Sequence, residues 1–237
     1  MTIISTTLPE YEMDLVLGEA WVVMRLDGRG FTRGARDYTR PFDLDFHMAM
    51  RKATEALFAV SPLLFAHTAS DEINLVFTPR TNWFNGRGTK WLSVTAATAS
   101  SALSRSLVRF VGFPTVDAKA FRANNLDEVK DYLLERLDSS WRNCRNGYVY
   151  YGLMAKGLTA SAADRKVRAA EKGDLDYLVP KDLPGWQRFG AVAHYNAIPH
   201  IGHNPLTNVD VPTTRRKLGW HEFARMSDID EMLNALR

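Results

Sequence analysis

The 237-residue chain contains one cysteine, Cys144. That excludes an internal disulfide framework and a zinc site built on several thiolates. No run of about 18 consecutive apolar residues occurs, so no segment reads as a membrane-spanning helix. Two uncharged stretches, 91–104 and 189–209, are respectively rich in Ser, Thr and Ala, or broken by His, Asn and Pro. Met1–Glu10 has no basic cluster followed by an apolar core, so a leader is not expected and a cytoplasmic setting is. Internal repeats and low-complexity linkers are also missing. Charge of one sign barely dominates: 30 basic against 27 acidic residues leave +3. That balance permits a polyanionic partner without demanding one. The remainder is ordinary globular material, 46% hydrophobic and 24% charged. A chain of this length buries roughly 70–75% of its unfolded surface and folds without staples.

Hydrophobic periodicity sets out the elements. Ala20–Leu26 is a short β-rich run ending at Asp27-Gly28-Arg29-Gly30, a buried strand meeting a tight turn. Asp43 can cap a helix whose apolar positions Phe46, Met50, Ala53, Leu57 and Val60 fall at helical steps, with Pro62 stopping it. Leu63–His67 and Ile73–Phe77 predict two strands joined through Thr68–Glu72. Lys90–Phe110 predicts a helix, Phe113–Phe121 a fourth strand, and Leu126 to Met154 a long helix. This is a β-α-β-β-α-β order, the ferredoxin-like arrangement of an α+β fold with an antiparallel sheet. A short helix over Ala160–Glu171 follows, then a Pro- and Gly-punctuated tail. Ser227–Leu236 predicts a closing helix capped by Ser227 or Asp228.

In that order the first and third strands lie side by side at the sheet centre. Asp27 therefore comes close to Asp71 and Glu72. Adjacent carboxylates repel unless a cation lies between them or one is protonated, and oxygen ligands with water and phosphate suit Mg²⁺. Two such ions about 3.5–4 Å apart clamp the attacking and leaving oxygens of phosphoryl transfer. Asp27 before glycine also suits a plain turn, and Asp71-Glu72 a solvated hairpin tip, so the residues alone leave both readings open. Gly28-Arg29-Gly30 does not extend to a dinucleotide fingerprint, because Arg33 stands at the third glycine position. Gly28 instead allows its carbonyl close to a metal. Arg142 and Asn146 share the helix face opposite the apolar stripe, a face suited to phosphate or base. Arg215-Arg216-Lys217 forms a small basic cluster suited to nucleic acid. His194, His200 and His203 lack the partners of a zinc site.

Trp21-Val22-Val23-Met24-Arg25-Leu26-Asp27-Gly28-Arg29-Gly30-Phe31 closely resembles the signature strand of the tRNA-His guanylyltransferase family. Ser70-Asp71-Glu72-Ile73-Asn74-Leu75-Val76-Phe77 is similar to its second acidic motif. Thr81-Asn82-Trp83-Phe84 with Lys90, Val116-Asp117-Ala118-Lys119, and Tyr132, Arg136, Arg142-Asn143, Asn146 and Gly157-Leu158-Thr159 continue the likeness over roughly residues 20–180. The resemblance implies a polymerase-palm-like catalytic domain over 1–180, with 181–237 an extension packed on it. It implies nucleotide addition in the 3′–5′ direction: a nucleoside triphosphate, ATP or GTP, activates a tRNA 5′-monophosphate, and the 3′-hydroxyl of an incoming nucleotide attacks it. By resemblance Asp27, Asp71 and the Gly28 carbonyl hold two Mg²⁺ ions, with Asp27 and Asp71 catalytic. Arg25, Arg29, Gly30, Arg40, Ser70, Glu72, Lys90 and Asn146 form the nucleotide set. Lys119, Arg136, Arg142 and Asn143 form the RNA set. The family also implies a homotetramer.

The chain departs from the family's eukaryotic pattern. Ser140-Trp141-Arg142-Asn143 stands in place of His-Ile-Asn-Asn, Arg40 replaces a lysine before Pro41, and Ala118-Lys119 replaces Gly-Arg. These departures favour template-directed repair of truncated tRNA 5′ ends, as in the bacterial and archaeal members. The alternatives are a dedicated enzyme adding one G to tRNA-His, a palm domain binding RNA or nucleotide without catalysis, and a palm-like nucleotide cyclase.

Overall fold

The computed structural model describes residues 20–171 and 173–235. Met1–Glu10 and Leu236, the expected last residue of the closing helix, lie outside them. The chain runs β1 (Trp21–Arg29), the single turn α1 (Phe31–Gly34), α2 (Leu44–Val60), β2 (Phe65–Ala69), β3 (Glu72–Phe77), α3 (Gly88–Ser106), β4 (Thr115–Ala123), α4 (Leu126–Ala155), α5 (Ala160–Ala169), the short α6 (Gly185–Arg188), β5 (Ala191–Asn204), β6 (Val209–Glu222) and α7 (Asp228–Ala235). Among the described residues the strands form one antiparallel sheet in the order β4-β1-β3-β2-β5-β6. β1 and β3 are central, as the β-α-β-β-α-β order requires.

Alternation along the strands builds two layers. Val22, Met24 and Leu26 of β1, with Ile73, Leu75 and Phe77 of β3, point to α2 and α3 and meet Met50, Leu57, Trp91 and Leu103. Val23 and Val76 point the other way, onto Val129, Leu133 and Leu137 of α4 and Met232 and Leu233 of α7. Asp43 caps α2 as expected, its carboxylate accepting from the Phe46 amide at 3.2 Å. Asn125 caps α4 in the same way, accepting from the Glu128 amide at 2.9 Å.

Several boundaries move. β1 runs through Arg29, so Asp27 and Gly28 are strand residues and not a turn; Asp27 pairs with both β3 and β4, and Gly28 with β4. The β2–β3 connection shrinks to Ser70-Asp71, because Thr68 and Ala69 still pair with Ile73 and Glu72. α3 ends at Ser106, and the following turn carries Phe110 onto α1, its ring 4.8 Å from that of Phe31. β4 starts at Thr115, since Pro114 lacks the amide a strand needs. The tail after α6 is a long hairpin, β5–β6, that pairs its first residues with β2. The outer half of that hairpin is a two-stranded ribbon. Pro199 and Pro212 sit there without breaking it, because each ribbon strand has one edge free of ladder bonds.

Candidate active site

The end of β1 and the β2–β3 turn form the site. Asp27 stands opposite Glu72 on β3 and Asp117 on β4, so three acidic residues share one row of the sheet. Gly28 follows, its amide donating to the Asp71 carbonyl at 3.1 Å. In a strand the amide and carbonyl of one residue face the same neighbour, so the Gly28 carbonyl also faces this turn. A Cβ on Gly28 would lie 2.5 Å from the Phe31 ring and 2.9 Å from Asp71 Oδ2. Glycine is therefore what lets the Asp71 carboxylate close over the strand. Ser70 holds the turn with φ of 54°, left-handed and uncommon for a residue with a side chain. Its hydroxyl donates to Asp71 Oδ1 at 3.2 Å.

The charges are unevenly satisfied. Glu72 is met by Arg136 Nη1 at 3.3 Å, by Arg25 Nε at 3.9 Å and by the Asn74 amide at 2.8 Å. Asn74 in turn accepts from the Tyr132 hydroxyl at 2.7 Å, and His67 below it contacts the Phe189 carbonyl at 2.7 Å. Glu72 is thus neutralised by protein. Asp27 and Asp71 have no ion-pair partner among the described residues. Burial, with Asp27 and Glu72 close by, pushes the Asp71 carboxyl above its ordinary pKa, against the opposing bonds from its own amide and the Ser70 hydroxyl. Among the described residues no cluster of three His, Cys, Asp or Glu forms a ready cage. Two carboxylates and a backbone carbonyl, the rest left to water and phosphate, are the donor set that suits Mg²⁺. The residues therefore fit the expected ions.

Two clefts open on this point. The larger, about 330 Å³, reaches from Asp27, Asp71 and Glu72 to Arg136, Ser139, Asn143 and Tyr151 on α4. The smaller, about 110 Å³, is lined by Phe31, Tyr38, Arg40, Phe46 and His47. Pro41, Phe42, Ser70, Asp71 and Trp186 belong to both. The structure thus gathers Asp27, Ser70, Asp71, Glu72, Arg40, Arg136 and Asn143 on cleft walls. Arg40 lines the smaller cleft and also donates to the Ala35 carbonyl at 2.8 Å. Arg25 lies behind Glu72. Lys119 is opposite Arg25 on β4, exposed on the same sheet face as Asp27. Arg29 is exposed at the strand end, and Gly30, φ 69°, turns the chain into α1. The structure does not bring Lys90, Arg142 or Asn146 onto either wall. Lys90 is exposed in the first turn of α3, Arg142 pairs with Asp138 at 3.1 Å, and Asn146 accepts from Arg145 at 3.3 Å.

Sequence reasoning missed Phe42, His47, Trp186 and Gln187. Phe42 and His47 flank a cap and a core stripe and carry no motif. Trp186 and Gln187 sit in the tail, where only the Pro-Gly step before them hinted at an ordered element. Cys144, one helical step from Asn143, is no nucleophile: burial pushes its thiol up to about 12.

Residues 6–125 match the family model described as Thg1, tRNAHis guanylyltransferase. The chain belongs to the Thg1 family. The probable tRNA(His) guanylyltransferase of Drosophila melanogaster is 27% identical over 195 residues, 78% of this chain and 65% of the relative. That of Homo sapiens is 28% identical over 178 residues, 68% of this chain and 59% of the relative. The chain thus spans about three fifths to two thirds of the length of these relatives. Among solved structures, the tRNA(His) guanylyltransferase of Saccharomyces cerevisiae superposes with a TM-score of 0.71 at 19% identity, over 92% of this chain and 95% of that one. A bacterial Thg1-like protein in complex with GTP gives 0.65 at 19% identity, over 92% and 90%. These likenesses show that this chain has the Thg1 fold. The family-model match ends before α4, so Arg136, Asn143 and Trp186 add walls from outside that segment.

Proposed function

We propose that the chain is a Mg²⁺-dependent nucleotidyltransferase that adds nucleotides in the 3′–5′ direction to tRNA 5′ ends, with base pairing to the facing strand choosing the nucleotide. The observation that carries this reading is the meeting of Asp27 and the Gly28 backbone with Asp71, a half-buried carboxylate without an ion-pair partner among the described residues that lines both clefts, Asp27 lining the larger one. Asp27, Asp71 and the Gly28 carbonyl would hold Mg²⁺, which supplies charge neutralisation on the phosphates of both reactants. The smaller cleft, walled by aromatic rings, takes the base of a purine nucleoside triphosphate, a ligand of the kind bound by the GTP and ATP complexes of bacterial Thg1-like proteins. Asp71 and Ser70, shared by both clefts, then face its phosphates.

The larger cleft takes the RNA 5′ end. Arg136 and Asn143 supply positive charge and amide contacts there, and Tyr151 and Trp186 supply faces for a terminal base. Glu72 keeps Arg25 and Arg136 from closing on the free carboxylates. Catalysis by this set is positioning and charge complementarity, and no separate protein base is required. Lys119 on the exposed sheet face, with Arg142 and Asn146 on α4, extends the RNA contact beyond the cleft.

The second reading is addition of a single G to tRNA-His, the activity in the names of the relatives. A panel of truncated, 5′-monophosphorylated tRNAs with altered facing bases separates the two. The proposal expects incorporation to follow the facing base across several tRNAs. Addition of G alone, only to tRNA-His, overturns template direction.

A further inference from the structure

We propose that His47, held in place by Trp186, reads the edge of the base seated in the smaller cleft and sets which nucleoside triphosphate is preferred there. The proposal rests on the reading of that cleft as a nucleotide site. His47 lines the cleft yet is only 7% exposed. Its Nε2 is buried with no hydrogen-bond partner. Buried polar atoms in folded proteins are nearly always paired, so an orphan beside a cleft needs an account. The comparison inside this molecule is His67. That histidine is equally a core residue, and both of its ring nitrogens are engaged, by the Phe189 carbonyl at 2.7 Å and by the Asn74 amide at 3.4 Å. His67 is satisfied and His47 is not; His194 on β5 also has an unpartnered ring nitrogen, Nδ1, but it lines neither cleft, so His47 is the orphaned histidine that stands at a site.

Trp186 fixes the ring. The two rings stack at 4.5 Å with an interplanar angle of 19°, and Phe42 meets the indole edge-on at 5.9 Å. The indole is itself anchored. The Trp186 amide donates to Glu222 Oε2 at 3.1 Å, and a Cβ on Gly185 would meet the Phe223 carbonyl at 2.6 Å, so α6 sits tight against the end of β6. The C-terminal hairpin thereby places one wall of the cleft. Burial, with the Arg51 guanidinium a turn away, pulls the His47 pKa down to about 4. At neutral pH the ring is uncharged and offers one donor and one acceptor. That suits the edge of a base and not a phosphate. A site whose buried polar group is completed by one base leaves that group unpaired with another, which is how a pocket discriminates strongly.

The test is the affinity of the full-length protein for ATP, GTP, CTP and UTP at neutral pH with Mg²⁺, for wild type, His47→Leu, His47→Gln and Trp186→Ala. The wild type is expected to prefer a purine. His47→Leu and Trp186→Ala are expected to shrink the ratio of best to worst nucleotide about tenfold or more, the effect of one lost base-edge hydrogen bond. His47→Gln, which again offers donor and acceptor, is expected to restore part of it. Should His47→Leu fail to fold by thermal melting, Trp186→Ala and His47→Gln carry the same comparison. Unchanged ratios in the folded variants overturn the proposal and make His47 a core residue. If the wild type binds no nucleoside triphosphate, the reading of the cleft and the proposal fall together. If the ratios shift as expected but no nucleotide is transferred to tRNA, the proposal stands and the transferase reading fails.

Discussion

Asp71 is half-buried, faces two other carboxylates and has no counter-ion among the described residues, a combination that costs stability unless a cation is present. Function and stability therefore oppose each other at this residue. Asp71→Asn should raise the melting temperature of the metal-free protein, by about 2–4 °C for each kcal/mol of repulsion removed. The same variant should lose the rise that Mg²⁺ gives the wild type, since an ion that binds only the folded state stabilises by mass action. A wild-type Mg²⁺ response in the variant would place the ion elsewhere. His47 has its own signature. Its pKa lies near 4 in the folded state, below the ordinary 6.5, held there by burial against the stacked Trp186 indole and by Arg51, its charged neighbour. The unfolded chain takes up the proton first. Its contribution is therefore whole above pH 6.5 and is lost as pH falls from 6.5 toward 4, at up to about 1.4 kcal/mol per pH unit. Denaturant unfolding near neutral and near pH 5 should show a larger loss for wild type than for His47→Leu. Equal losses would mean the ring is already protonated or exposed.

At the scale of elements, alternation and capping were legible because they are local. Asp43 before a stripe at Phe46, Met50 and Ala53 is readable from spacing, and so is the apolar strand Val22-Val23-Met24. The central pairing of β1 with β3 followed from element order alone, and it delivered Asp27 beside Asp71. The hairpin β5–β6 was not legible. Its outer residues alternate against solvent on both faces, so no apolar period marks it, and Pro199 and Pro212 argue against strand in a one-dimensional reading. Trp186 escaped for a related reason: its role depends on Glu222 and Phe223, 36 and 37 positions downstream, contacts that no local pattern encodes. The hairpin's outer half is also dispensable to the core. Residues 197–201 and 207–217 are exposed, and no core cluster includes them. Joining Asn196 to Lys217 through an Asn-Gly turn, which suits a tight hairpin, should leave the melting temperature within about 2–4 °C of the parent. Loss of the cooperative transition would show that the ribbon belongs to the folding unit.

For the whole molecule, the site is a joint product of both halves of the chain. The β1 end and the Ser70-Asp71 turn supply carboxylates, α4 supplies Arg136 and Asn143, and α6 closes the gap with Trp186. The sheet brings the first group together, and its extension through β5 and β6 brings the last. The most direct test of this assembly is incorporation of labelled nucleotide into a truncated, 5′-monophosphorylated tRNA, with Mg²⁺, by wild type, Asp27→Ala and Asp71→Ala, each shown to be folded. The account predicts transfer by the wild type and a fall of at least about a thousandfold in both variants, since each removes one of two carboxylates on which charge neutralisation of the reacting phosphates depends. Transfer at the wild-type rate by either folded variant would contradict it.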